Sequence, residues 1–241
     1  MRIFRLLIFT NAAVFGILFL LQLLLYSQTG NISNSLNFQI FDVSGGLSSL
    51  DLYIGKFWTF ITANFAHLDP IHFLFNIYAL IKIGQVVYEF YDGKKLFITY
   101  IIGGFAAMAF TLVVSLASGS PTLTLGASGS IFALAGLLLG GALKDRRYGI
   151  NLPINLQLFV PIILVSLVFG FVPGSGVNNL AHLGGLISGF ILGLLFKHDI
   201  GEYESKTEKM AVNIIYYVLL GVFILSFLLH IMYVISWFIN S

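Results

Sequence analysis

Two short stretches carry the residue types best suited to nucleophilic chemistry. A serine opens one apolar run in Leu125-Gly126-Ala127-Ser128-Gly129, and a histidine opens another in Ala181-His182-Leu183-Gly184-Gly185. A serine hydroxyl is a weak nucleophile until a neighbouring base takes its proton, and imidazole is the base suited to neutral pH. Attack on an amide also develops a negative oxygen, which needs fixed hydrogen-bond donors. His72 and Asn76, four apart and therefore on one helix face, are candidates for that role. The backbone N–H of Ser128, in the unpaired first turn of a helix, is another. Asn64 and His67 lie just upstream, where they shape the entrance. Taken singly, each feature has a plainer reading. Small residues at a helix start favour close packing, and a lone His182 or the His72/Asn76 pair serves equally as polar glue between helices.

The elements that must position these groups are membrane spans. The chain has 241 residues, 58% hydrophobic and 9% charged, whereas a soluble domain carries about a quarter charged residues. Seven apolar runs are long enough to cross a bilayer, at about 4–26, 59–81, 96–117, 127–143, 153–172, 179–197 and 212–238. The second is interrupted in its first half by Asn64, His67, Asp69, Pro70, His72 and Asn76, so it enters near the membrane surface. Segment 27–58 is too apolar for a free linker and too broken to span, which fits a re-entrant or interfacial element. The first run is longer than a signal-peptide core and lacks a small-x-small cleavage site, so it reads as a retained span. The fold class is all-α, polytopic.

Orientation follows from the basic residues. With the N-terminus in the cytoplasm, Arg2, Arg5, Lys94, Lys95, Lys144, Arg146, Arg147, Lys197, Lys206 and Lys209 fall on the cytoplasmic side and Lys56 outside. The C-terminus then lies outside. Runs two, four and six all travel inward, which puts His72 and Asn76, Ser128 and His182 at one level near the outer face. Intramembrane polar groups are costly and face the bundle interior, so these groups can meet in one cavity.

Close approach of two helices has its own signature. Gly185, Gly189 and Gly193 recur on one face of run six, and Gly136 with Gly129, Ala133, Ala135 and Gly140 offers small residues on run four. Small-xxx-small spacing lets backbones approach, which a serine–histidine contact across two helices requires. Other polar groups read more plainly. His230 is a packed or helix-bonded residue, His198 suits a helix C-terminal dipole, and segment 197–211 is a solvated loop. His67 and His72, five apart across a proline, do not share a helical face, so no metal site is expected. A net charge of +2 gives no case for nucleic acid, and the absence of cysteine removes thiolate chemistry.

At these residues the sequence resembles the rhomboid family of intramembrane serine proteases. The matching pieces are His67–Asn76, Gly126–Gly136 and Ala181–Gly193. The resemblance implies Ser128 as nucleophile and His182 as general base, in a dyad without a carboxylate. It also implies an oxyanion hole made by His72, Asn76 and the Ser128 N–H. It implies a six-helix core over 1–200, then a cytoplasmic linker and a seventh transmembrane helix over 201–241. No metal or cofactor is implied. The implied substrates are single-span membrane proteins, cut in or near the span within the lipid bilayer. A bacterial plasma membrane is the expected location. Thr59 after Trp58 departs from the family's usual Trp-Arg, which leaves the anchoring of the first loop open. The rival readings are a non-proteolytic relative that binds transmembrane helices, and a small transporter. Such binders usually lack the serine or the histidine, and a transporter predicts paired broken helices and internal symmetry; the sequence has neither.

Overall fold

Asp69 and Pro70 decide where the second apolar run becomes helical. The Asp69 carboxylate accepts a hydrogen bond from the His72 N–H (2.7 Å), and Pro70 occupies the first turn, where its missing N–H costs nothing. The computed structural model describes residues 1–29, 34–147, 160–172, 176–198 and 204–240. Its elements are α1 (Arg2–Thr29), α2 (Asn34–Val43), β1 (Leu47–Ser48), α3 (Asp51–Ile54), α4 (Thr59–Thr62), α5 (Pro70–Ser118), β2 (Leu123–Thr124), α6 (Ser128–Arg147), α7 (Val160–Phe169), α8 (Asn179–Leu195) and α9 (Lys206–Asn240). The run expected at 59–81 is therefore divided. Residues 59–69 form the short α4 and a loop, and only the part after Asp69 belongs to a long helix. Of the fifth run, 153–159 lie outside the described residues, as do 199–203 of the polar segment.

α5 contains two of the expected runs. It breaks at Asp92, whose φ of 66° is left-handed and whose carboxylate accepts from the N–H groups of Lys94 (2.6 Å) and Lys95 (2.9 Å). At ψ 178° this is a region that residues with a Cβ rarely adopt, and the two local bonds to the carboxylate hold it there. The break folds the helix back on itself. His72 near its start lies against Gly126, while Thr111 near its end bonds Asn178, which also bonds Thr124. An unbroken helix rising about 1.5 Å per residue would hold its two ends far apart.

Among the described residues, three helices are long and apolar enough to cross a membrane: Arg2–Leu24, Pro70–Ser118 and Lys206–Ile239. Large apolar side chains such as Phe9, Ile17, Phe75, Val113 and Tyr217 point outward. An apolar exterior of this extent is a liability in water and is what lipid covers. The chain is an integral membrane protein.

The interior joins α1, α5, α6 and α9. Tyr100, fully enclosed, receives a hydrogen bond from Asn11 (3.0 Å) and donates to the Asn64 carbonyl (3.1 Å), tying α1 to the loop before α5. Buried polar groups in such a setting need partners. β1 and β2 form a two-residue antiparallel ladder, Leu47 opposite Thr124 and Ser48 opposite Leu123. The all-α expectation contained no strand. The ladder docks the first loop onto the residues just before Ser128.

One expectation about the polar periphery is corrected. His198 does not simply cap a helix. It is fully buried, with Nε2 3.1 Å from the Asp145 carboxylate of α6. Of segment 197–211, the described residues 204–211 are exposed or half-buried, as a solvated segment would be, and they carry pairing as well. Lys95 is buried and holds both the Lys197 carbonyl (2.6 Å) and Glu204 (2.6 Å), while Lys197 pairs with Glu208 (2.8 Å). A buried ammonium must be paired, and here the pairing ties Lys197 and Glu204 to α5.

Candidate active site

The turn before α6 is built around Gly126, at φ 120°, a conformation disfavoured for residues with a Cβ. A Cβ there would also lie 2.8 Å from Cε1 and 3.1 Å from Nε2 of His72, so the glycine is required twice over. The Gly126 N–H donates to the Ala63 carbonyl (2.8 Å) and the Ala127 N–H to His67 Nε2 (3.2 Å). His67 Nδ1 lies 3.3 Å from the Phe65 carbonyl, so the ring carries its proton on Nδ1 and accepts on Nε2. One turn further, Ser130 Oγ donates to Asn64 Oδ1 (3.3 Å), and Asn64 Nδ2 donates to the Phe60 carbonyl (2.8 Å). Residues 63–67 thus form a seat for the serine turn. Ser128, the first residue of α6, is only partly covered.

α8 begins at an equally well-tied cap. Asn178 Oδ1 accepts from the N–H groups of Leu180 (3.0 Å) and Ala181 (3.2 Å). Its amide nitrogen donates to Thr111 (3.1 Å) and Thr124 (3.0 Å), locking the helix start to α5 and to β2. One turn on, the His182 ring stacks on Phe132, with centroids 4.1 Å apart and planes within 5°. Phe132 stands four residues after Ser128, on the same face of α6. His182 Nδ1 is enclosed without a hydrogen-bond partner, which leaves Nε2 as the open nitrogen.

The glycines explain how α6 and α8 come so close. Cβ atoms at Gly185, Gly189 and Gly193 would strike the carbonyl oxygens of Gly129, Ala133 and Leu137. Both series advance by four residues, so the backbones stay in register along the seam. From the other side, Cβ atoms at Gly136 and Gly140 would strike the carbonyls of Leu186 and Phe190.

Ser128, His182 and His72 are brought to one place. The His72 ring covers Gly126, two residues before Ser128, and the His182 ring stacks on Phe132, one turn after it. Asn76 is buried one turn below His72, and its amide nitrogen donates to the His72 carbonyl (2.9 Å). Ser128 and His182 make no hydrogen bond to each other in this structure. Catalytic contacts are often long before substrate binds, so the helix starts are aligned while the side chains stand apart. His67 and His72 do meet, edge to face at 5.2 Å, because His67 precedes the helix rather than sharing it. The residues missed by sequence reasoning are Asn178 and Phe132. A cap residue before an apolar run was a usable signal for Asn178, and the four-residue spacing from Ser128 was one for Phe132.

The family model described as Rhomboid domain matches residues 54–199. Rhomboid protease GluP of Bacillus subtilis (strain 168) is 30% identical over 167 residues, covering 64% of this chain and 31% of that protein. RHOMBOID-like protein 1 of Arabidopsis thaliana is 30% identical over 162 residues, 66% of this chain and 40% of the relative. Rhomboid-like protease 2 of Toxoplasma gondii is 30% identical over 149 residues, 58% and 48% respectively. The chain spans less than half the length of these relatives.

Proposed function

The chain belongs to the rhomboid family, and from that membership we propose that it is an intramembrane serine protease working through a Ser128–His182 dyad. The observation that carries the reading is the seam of α6 and α8, which sets Ser128 and His182 at neighbouring helix starts, with His182 stacked on Phe132. Ser128 Oγ attacks the scissile carbonyl as its proton passes to His182 Nε2. The oxygen that becomes negative is met by the Ser128 N–H and by donors from His72 and Asn76. Collapse of the tetrahedral species breaks the C–N bond, and the imidazolium returns the proton to the leaving amine. Water, deprotonated by His182, then releases the acyl group from Ser128. No metal or cofactor enters these steps.

The substrates in this reading are single-span membrane proteins met within the bilayer. A transmembrane helix hides its peptide bonds, so the cleaved segment must unwind before the carbonyl can reach Ser128. The basic residues favour a cytoplasmic N-terminus and an outer C-terminus. The relatives come from a bacterium, a plant and a parasite, so similarity does not select the bacterial plasma membrane over an organelle.

The test is a fluorophosphonate probe that labels activated serines, combined with cleavage of a single-span reporter in lipid vesicles. Labelling and cleavage are expected for the wild type and absent in Ser128→Ala and His182→Ala, with thermal stability retained. A wild type that neither labels nor cleaves favours the non-proteolytic binder instead.

A further inference from the structure

The first loop and the last helix meet through partly buried polar groups that the mechanism does not use. Lys56 Nζ lies 2.5 Å from the Asp42 carboxylate and 3.8 Å from the centre of the Tyr233 ring, and the Tyr233 hydroxyl donates to the other Asp42 oxygen. Burial works against the Lys56 charge, but hydrogen bonds to Asp42 and Tyr233 raise its pKa above the ordinary lysine value. Trp58 packs beside Tyr233, with ring centroids 6.0 Å apart. One turn up α9, His230 Nε2 lies 3.0 Å from the Val43 carbonyl, and its ring closes on Gly45. Gly45 has φ 80°, and its carbonyl accepts from Thr62 Oγ1 (2.8 Å). These contacts join α9, the end of α2 and α4.

The path continues to the site. Phe65 packs against Phe223 (5.3 Å) and Phe227 (5.5 Å) of α9. It lies inside the seat at 63–67, where Ala63 holds Gly126 and His67 holds Ala127. Thr59 bonds the Lys56 carbonyl (2.7 Å), and Lys56 carries the loop to α9.

We infer that α9 braces the serine turn from behind, with His230 and Tyr233 as positioning residues for Ser128 through segment 42–67. The inference rests on the protease reading. The brace explains why polar groups are kept on a helix that otherwise faces lipid along most of its length, where an unpaired polar group is costly. Neither residue touches substrate. Each holds a loop that holds the turn.

The experiment uses the full chain in lipid vesicles, with His230→Leu, Tyr233→Phe and the conservative His230→Gln. Fluorophosphonate labelling rate, kcat, KM and thermal midpoint are measured for each. His230→Leu is expected to lower labelling rate and kcat by about tenfold, because displacement of a reacting group by a fraction of an ångström costs on that order. Tyr233→Phe should lower both by roughly threefold, since the Lys56–Asp42 pair survives it. KM and the thermal midpoint stay near the wild-type values. His230→Gln, which keeps an N–H for the Val43 carbonyl, recovers most of the rate. Unchanged labelling and kcat in both His230→Leu and Tyr233→Phe overturn the brace. So does a loss in His230→Leu that His230→Gln shares fully, or one that follows the thermal midpoint. A wild type without labelling removes the protease reading and the brace together; a labelled wild type with unaffected variants removes the brace alone.

Discussion

The seam between α6 and α8 and the junction between α9 and the first loop hold the same site by opposite means. At the seam, backbone lies on backbone, and the fit depends on atoms that are missing: Gly185, Gly189 and Gly193 leave room for three carbonyls. At the junction, side chains reach across gaps, and the fit depends on atoms that are present: the Asp42, Lys56, His230 and Tyr233 groups. A contact made by absence tolerates no addition. A network made of several partners loses one and keeps the rest.

That difference predicts different sizes of damage. Gly189→Leu is the harshest change available at the seam, because its side chain would displace the Ala133 backbone rather than a movable side chain. Overpacking of a close-packed site costs about 1–3 kcal/mol and more where backbone is the obstacle. Gly189→Leu should therefore fail to accumulate as folded protein, read by detergent-solubilised thermal melting and size exclusion. Gly189→Leu with a wild-type midpoint would show that the seam is looser than its geometry.

The seat at 63–67 is an intermediate case, with one partner per donor. His67→Ala leaves the Ala127 N–H buried and unpaired, at a cost of about 1–3 kcal/mol. Because that N–H is next to Ser128, labelling by the fluorophosphonate should fall further than stability does. A proportional fall in both would make His67 a purely structural residue.

Sequence reasoning reached these regions unequally, for a physical reason. The seam repeats every four residues along two continuous helices, so Gly185, Gly189 and Gly193 advertise their common face. Ser128, His182, His72 and Asn76 were legible because each opens or lies near the start of an apolar run, where a polar residue is conspicuous. The junction has no period. Val43 and His230, like Asp42 and Tyr233, are separated by almost the whole chain, and only the fold makes them neighbours. The return of α5 at Asp92 was hidden differently. The expected runs at 59–81 and 96–117 leave a gap between them, and the structure fills it with helix on either side of a tight bend at Asp92.

Asn178 is a smaller lever, since it both caps α8 and ties it sideways. Asn178→Ala removes the cap and should lower stability by about 1–2 kcal/mol. Asn178→Asp keeps the cap acceptor but loses the amide donor to Thr111 and Thr124. If the cap alone matters, Asn178→Asp melts like the wild type. If the sideways tie sets the position of His182, Asn178→Asp keeps its midpoint and loses kcat.

The smallest effect belongs to a glycine outside both regions. Gly221 lies within α9, and a Cβ there would meet nothing within 4 Å. Glycine in a helix interior costs about 1 kcal/mol relative to alanine, so Gly221→Ala should raise the thermal midpoint slightly and leave labelling untouched. The contrast with Gly189 lies in the surroundings alone, since both residues are glycines inside apolar helices. A fall in the midpoint on Gly221→Ala would mean that another surface closes on α9 at that point. The seam between α6 and α8 would then have a second example on the outer side of the molecule, with backbone approach rather than side-chain reach again setting the limit.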